Sequence, residues 1–313
     1  MKKIMFVFWL LSTLLAQGQF GRIYMNAPRG SGALAGTYSN TGSNTSWDET
    51  ISNDLFQSRI NNVNFNYTHV LRVFDRTAGL GINLPVGNIL SYNTATQKVF
   101  NSAAGIADPS IIFDVNIFGA ASMLPEIFKQ TPVEDYLGIH TNWSFPLGEY
   151  NPLKQTNLGS NRFTSKILFN YGVPFKSGKN WIDLYGSVKF FGKNNDFYGS
   201  QPGQTLSQKP LFGFEAHYTH DIAKRTWIGA GLIYGVGGSQ QWDDVPSIPG
   251  QNSLKYALQT SFPAWPGGTC FVGYNQTIFT PENAPDVKTF LLQYIHFLQY
   301  KNVKPYRKDK GSL

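Results

Sequence analysis

Residues 157–238 hold four segments in which apolar and polar side chains alternate, joined in turn by a short polar link, a long polar loop and a second short link. In extended chain successive side chains point to opposite faces, so each segment sorts its residues into two sets. Phe163, Ser165, Ile167, Phe169, Tyr171 and Val173 share one face of the first; Arg162, Thr164, Lys166, Leu168 and Asn170 share the other. The second sets Ile182, Leu184, Val188 and Phe190 against Trp181, Asp183, Tyr185, Ser187 and Lys189. The third sets Phe212, Phe214, Ala216 and Tyr218 against Gly213, Glu215 and His217, and the fourth sets Ile228, Ala230, Leu232, Tyr234 and Val236 against small residues. Each segment has about ten residues, the length a tilted strand needs to cross a bilayer. The pattern is a β meander. It fits either a soluble sandwich, with the apolar face inside, or a membrane barrel, with the apolar face outside.

The rest of the chain decides between them. Residues 1–18 read as a secretory signal: Lys2 and Lys3 precede an apolar run from Ile4 to Leu15, and Ala16-Gln17-Gly18 is a small-x-small cleavage site. No later apolar run reaches the ~18 residues of a membrane helix. Charged residues make up 14% and aromatics 15%, with 31 glycines in 313 residues, a balance that suits a barrel with lipid outside and side chains inside. The single Cys270 excludes an internal disulfide framework and reads as a small outward apolar residue. The formal charge of +7 sits mainly in Lys2, Lys3 and a basic tail, residues 301–313, leaving the body near neutral without the basic stripe that nucleic-acid binding requires.

Twelve strands are expected. Before the meander they are a weak one at 33–42 and clear ones at 60–74, 77–86, 108–118 and 136–146. After it they run over 253–262, 269–278 and 287–298. Asp75-Arg76 is read as the reversal between the second and third. The second, sixth, eighth and tenth links are short and fall on one side, and only the fourth, residues 119–135, departs. A sandwich has no reason to sort its loops by side, whereas outer-membrane barrels have short periplasmic turns and long outer loops. Met123, Leu124, Ile127 and Phe128 in the fourth link suggest a turn or two of amphipathic helix, lying in the interface or packed under the barrel mouth. Phe74, Trp143, Phe145, Tyr171, Phe190 and Trp227 near strand ends fit interfacial girdles. The expected fold is therefore all-β: a transmembrane antiparallel up-and-down β-barrel of about 12 strands, with signal peptide 1–18, barrel 19–300 and basic periplasmic tail 301–313. Residues 19–32 are irregular and are read as a leader in preference to a plug.

The inward polar set is the candidate site. Register from the short link at 174–179 brings Lys166 near Ser187 and Lys189, and the next strand brings Glu215 near Ser187 and His217 near Tyr185. Lys166, Asp183, Lys189, Glu215 and His217 then form one patch, either filling the interior or selecting solutes by charge. Trp181, Tyr185, Phe191 and Trp227 add flat apolar surface to the lumen. No serine is spaced to pair with His140, His217 or His220, no GxSxG element occurs, and no phosphate-cradling glycine loop is present, so neither an enzyme nor a cofactor is expected. No metal site is expected either, since only Glu215 and His217 stand at ligand spacing in one strand. Gly229, Gly231 and Gly235 read as room in the lumen.

NLGSNRF, FFGKNNDF, TLSQKP, HYTHDI and GGSQQWDDV follow one another through the meander, with GIADPSIIF and FPLGEY upstream. This succession, spanning residues 105–245, resembles the outer-membrane transporter family named for a putative pathway of phenol degradation. The resemblance implies a barrel for passive uptake of small hydrophobic or aromatic solutes, and transfers no binding residues. Such barrels usually close on a terminal aromatic, whereas here Phe297 and Tyr300 are followed by thirteen further residues. The expected partners are outer-membrane lipid and a small hydrophobic solute. The alternative is a structural or docking barrel with a blocked lumen, whose basic tail meets a periplasmic or envelope protein.

Overall fold

The computed structural model describes residues 20–24, 26–44, 56–93, 95–248, 250–265, 267–281 and 286–299. The signal read at 1–18 and the basic tail at 301–313 lie outside the described residues. In chain order the strands are β1 (Ser31–Ser43), β2 (Phe56–Val73), β3 (Arg76–Asn93), β4 (Val99–Ile106) and β5 (Ser110–Phe118), followed by a single helical turn, α1 (Pro125–Phe128). Then come β6 (Tyr136–Ser144), β7 (Thr164–Phe175), β8 (Asn180–Phe191), β9 (Leu206–Gln208), β10 (Leu211–Ala223) and β11 (Thr226–Gly237). The last five are β12 (Gln240–Trp242), β13 (Val245–Ile248), β14 (Gln251–Pro263), β15 (Gly268–Phe279) and β16 (Val287–Gln299).

Twelve of these form a closed antiparallel barrel in which each strand pairs with its neighbours along the chain, and β1 pairs with β16 to complete the circle. All twelve expected strands are present. Closure removes every edge, so no backbone N–H or C=O of the wall has to face hydrocarbon unpaired. The other four strands stand outside the ring. β4 folds back on the far half of β3, from Val86↔Ile106 to Tyr92↔Val99, while β9, β12 and β13 make a small separate sheet in the loops. Pro85, which has no N–H to donate, marks where β3 exchanges β5 for β4; its carbonyl accepts from the Ala107 N–H at 2.9 Å.

The short connections lie at one end, with the start of β1 and the finish of β16. Phe74 and Asp75 make the first of them, with φ of 46° and 64°, the left-handed pair of a two-residue hairpin turn, one residue earlier than the sequence reading placed it. The long link carries α1, whose Phe128 packs against the interior cluster while the Arg29 N–H donates to the Met123 carbonyl at 2.8 Å. It therefore closes over the barrel mouth, the second of the two alternatives weighed for it.

Burial is the reverse of that in a soluble protein. Thr37, Thr41, Asn62, Asn64, Asn66, Thr68, Asp183 and Gln293 are buried, whereas Phe65, Ile82, Phe214, Leu232 and Leu258 are more than half exposed. The polar faces look inward and the apolar faces outward, which excludes the sandwich and makes lipid the outer solvent. Cys270, Val272 and Tyr274 share the outer face, and Phe74, Trp143, Tyr171 and Phe190 are exposed near strand ends. Trp227 does not belong to that girdle: at 1% exposure it stands inside, because its inward register is fixed by pairing with Asp221 and Ser261.

The other correction concerns residues 20–28. Read as a leader, the described part, 20–24 and 26–28, lies inside the barrel, with Phe20, Arg22, Ile23, Tyr24 and Ala27 all buried. The physical reason is space. Gly273 faces inward, and a Cβ there would stand 2.7 Å from the Phe20 ring, so the wall is thinned where the segment needs room.

Two measurements follow from this fold. Leu232→Arg, at the middle of an outward face, should destabilise the barrel by about 2–4 kcal/mol, read as a lower temperature for losing the fast-migrating folded band on gels. A peptide tag inserted at Gly203, in the outer loops, should be labelled on intact cells, and one in the Lys224-Arg225 turn should not; the opposite pattern would invert the orientation.

Candidate functional site

The lumen is divided into a filled half and an open half. The filled half is organised by Arg22. Its backbone N–H donates to Asp183 Oδ2 at 2.9 Å and its Nε to Thr219 Oγ1 at 2.6 Å, its guanidinium forms an ion pair with Asp221, and Nη2 reaches the Lys179 carbonyl at 3.3 Å. The guanidinium lies over the rings of Trp181 and Trp227, at 5.5 and 5.7 Å from their centroids. A buried guanidinium is tolerable only with this degree of pairing, since an unmatched charge away from water costs several kcal/mol.

The neighbouring contacts are equally specific. The Gly21 N–H donates to Gln259 Oε1 at 2.7 Å, and Gln259 Nε2 donates to His217 Nδ1 at 2.7 Å. His217 Nε2 therefore carries the proton and donates to Glu215 Oε2 at 3.1 Å. The Tyr185 hydroxyl donates to the Phe20 carbonyl at 3.0 Å. Tyr24 stacks on the His140 ring at 3.7 Å, and His140 is held at Nδ1 by Asp114 at 2.8 Å and at Nε2 by Asn170 at 2.7 Å. Gly231 makes this network possible, because a Cβ there would lie 2.2 Å from His217 Nδ1.

Above Tyr24 the lumen opens into a cavity of about 110 Å³. Lys166, Lys189, Glu215 and Lys255 line it, with Leu168, Ser187, Leu211, Ile233 and Ser253 between them. Strand register explains the arrangement: Lys166 faces Lys189 across β7 and β8, while Glu215, Ile233 and Lys255 form a row across β10, β11 and β14. At the mouth, the Lys189 ammonium lies 5.0 Å and the Arg162 guanidinium 4.8 Å from the centroid of Phe191. Arg162 Nη2 also donates to Gln208 Oε1 at 2.6 Å, tying the loop sheet to the barrel wall.

All eight candidate lumen residues point inward, but the structure splits them. Lys166, Lys189 and Glu215 line the cavity. Trp181, Asp183, Tyr185, His217 and Trp227 lie in the filled half around residues 20–24. The expected patch is drawn out along the lumen: Lys166 and Lys189 are cross-strand partners, His217 donates to Glu215, and His217 pairs with Asp183. The strand holding Glu215 and His217 sits one same-face step away from the anticipated register: Glu215 pairs with Tyr185 rather than Ser187, and His217 with Asp183 rather than Tyr185. The link between these strands, 192–210, is long and contains β9, so unlike a tight hairpin it imposes no register.

Sequence reasoning missed Arg22, Tyr24, Lys255 and Gln259. Lys255 and Gln259 were legible, since they occupy inward positions of the alternation that begins at Ser253. Arg22 and Tyr24 had a fainter signal: a lone charge among Phe20, Ile23 and Tyr24, in a segment with no period.

A closed antiparallel barrel, polar within and apolar without, has the fold of an outer-membrane β-barrel. In a comparison with solved structures, the COG4313 outer membrane channel from Pseudomonas putida F1 is similar at 20% identity, over 90% of this chain and 100% of that one, with a TM-score of 0.75. The β domain of the Bordetella autotransporter BrkA is similar at 9% identity, over 85% of this chain and 99% of that one, with a TM-score of 0.49. No protein-family model and no curated protein matches the chain. The first likeness extends to the twelve-stranded fold and does not bear on the phenol-degradation designation.

Removing the anchor of the filled half should be measurable. Arg22→Ala is expected to cost roughly 2–3 kcal/mol, as charged hydrogen bonds are lost and Asp183 and Asp221 lose their cation. Gly273→Val should loosen the same segment by displacing Phe20. In both variants, hydrogen exchange of residues 20–28 should rise several-fold while the amides of β14 and β15 away from residue 273 stay protected.

Proposed function

We propose that the chain is a passive outer-membrane channel for small, apolar or aromatic solutes, with residues 20–28 narrowing the periplasmic half of the lumen. The observation that carries this reading is the cavity above Tyr24. It is enclosed by the barrel wall and sets Leu168, Leu211, Phe212 and Ile233 among polar side chains such as Lys166, Ser187 and Ser253, so that it can receive an apolar body and orient a polar group. The similar Pseudomonas putida F1 structure is an outer membrane channel, which supports this reading. On this reading Lys166, Lys189 and Glu215 meet the solute in the open half, and Trp181, Asp183, Tyr185, His217 and Trp227 hold the segment past which it must move.

A second reading has one observation in its favour: residues 20–24 and 26–28 lie in the lumen, with Ile23 and Ala27 at 0% exposure. A permanently filled lumen would make the molecule a structural or docking barrel, meeting a periplasmic or envelope partner through its basic tail.

Flux decides between them. Purified barrel in liposomes should pass benzyl alcohol faster than lipid-matched liposomes carrying a closed control barrel, and Arg22→Ala should raise ion conductance in planar bilayers several-fold. Flux equal to the control, with conductance unchanged by Arg22→Ala, would favour the docking barrel.

A further inference from the structure

Lys166 and Lys189 are direct cross-strand partners on the inner face of the barrel, a like-charge placement that is unfavourable in itself. A third ammonium, Lys255, lines the same cavity at 2% exposure, one strand beyond Ile233 from Glu215. The carboxylates of the cavity wall are Asp108 and Glu215. Asp108 is engaged by the outer loops: Oδ1 accepts from the Gly148 N–H at 3.0 Å, and Oδ2 accepts from the Ser160 N–H at 2.8 Å and Oγ at 2.6 Å. Glu215 Oε2 accepts from His217 Nε2 at 3.1 Å. The His140 ring has both nitrogens bonded, to Asp114 and Asn170. Three ammonium groups thus share one small space with two carboxylates, an excess of positive charge.

Between the charges the wall mixes apolar side chains with the hydroxyls of Ser187 and Ser253. Leu168, Leu211 and Ile233 are buried there, and Tyr24 forms the floor. Against Leu168, Leu211 and Ile233 a strongly hydrated inorganic anion would lose water without replacement, whereas an organic anion presents apolar surface to them. Lysine suits passage as well as binding, because a flexible point charge attracts a carboxylate without the fixed two-point grip of arginine. Conduction needs binding strong enough for entry and weak enough for exit.

We infer that the cavity selects small carboxylic-acid anions with an apolar or aromatic body, the carboxylate directed to Lys166 and Lys189 and the body against Leu168, Ile233 and Tyr24. The inference rests on the solute-channel reading and names the solute's charge. A neutral or cationic molecule of the same shape gains nothing from the three lysines, and a cation is repelled by them.

Three ligands that share a benzene ring and differ in charge test it: benzoate, benzyl alcohol and benzylammonium, titrated calorimetrically into the full-length barrel in non-ionic detergent at pH 7. Benzoate should bind about tenfold more tightly than benzyl alcohol, with benzylammonium weakest, and the advantage should shrink as salt is raised. A Lys166→Gln, Lys189→Gln double variant should lose that advantage, so that benzoate no longer binds more tightly than benzyl alcohol. Benzyl alcohol binding as tightly as benzoate would overturn the inference and leave the channel reading in place; absence of binding by all three, together with absence of flux, would overturn both. If the double variant does not fold, the charge series on the unmodified barrel decides by itself.

Discussion

Hydrocarbon offers no hydrogen-bond partner, and this single constraint shapes the whole molecule. A strand in lipid must have both neighbours, so the sheet has to close, and the pairing of β1 with β16 and with β2 is what makes the wall tolerable. Closure in turn sorts the side chains. Outward positions carry Phe65, Ile82, Leu232 and Leu258, while inward ones carry Thr41, Asn64, Asp183 and Gln293. The polar groups of a barrel interior cannot escape to bulk water one by one, so they must bond to each other or to something placed among them.

In this protein the chain itself is placed among them. Residues 20–28 supply an arginine where the wall supplies Asp183 and Asp221, and a phenylalanine ring where the wall has Gly273. The fit is as specific as that of a soluble core, with hydrogen bonds where the wall is polar and ring contacts to Phe271 and Tyr185 where it is apolar. The division of the lumen follows from the reach of that segment. Below Tyr24, Asp183, Tyr185, Thr219, Asp221 and Gln259 hold the segment, and above it Lys166, Lys189 and Lys255 line the cavity with Glu215. A common inward orientation thus gave two sets of side chains two different tasks.

The local alternation of the sequence determined a great deal. Period-two polarity named all twelve barrel strands, assigned Trp181, Asp183, Lys189, Glu215 and His217 to a single face, and, through the sorting of link lengths, indicated which end carries the short turns. It could do so because a strand's two faces meet two different solvents, and that difference is written at every second residue. Tertiary structure alone decided what pattern does not encode. The pairing of β8 with β10 set Glu215 beside Tyr185 and His217 beside Asp183, since a long intervening loop imposes no register. The place of Arg22 and Tyr24 was invisible for a related reason: a segment without period carries no sign of its surroundings, and only the closed wall, with its carboxylates and its glycine-lined gap, creates the space that draws it in.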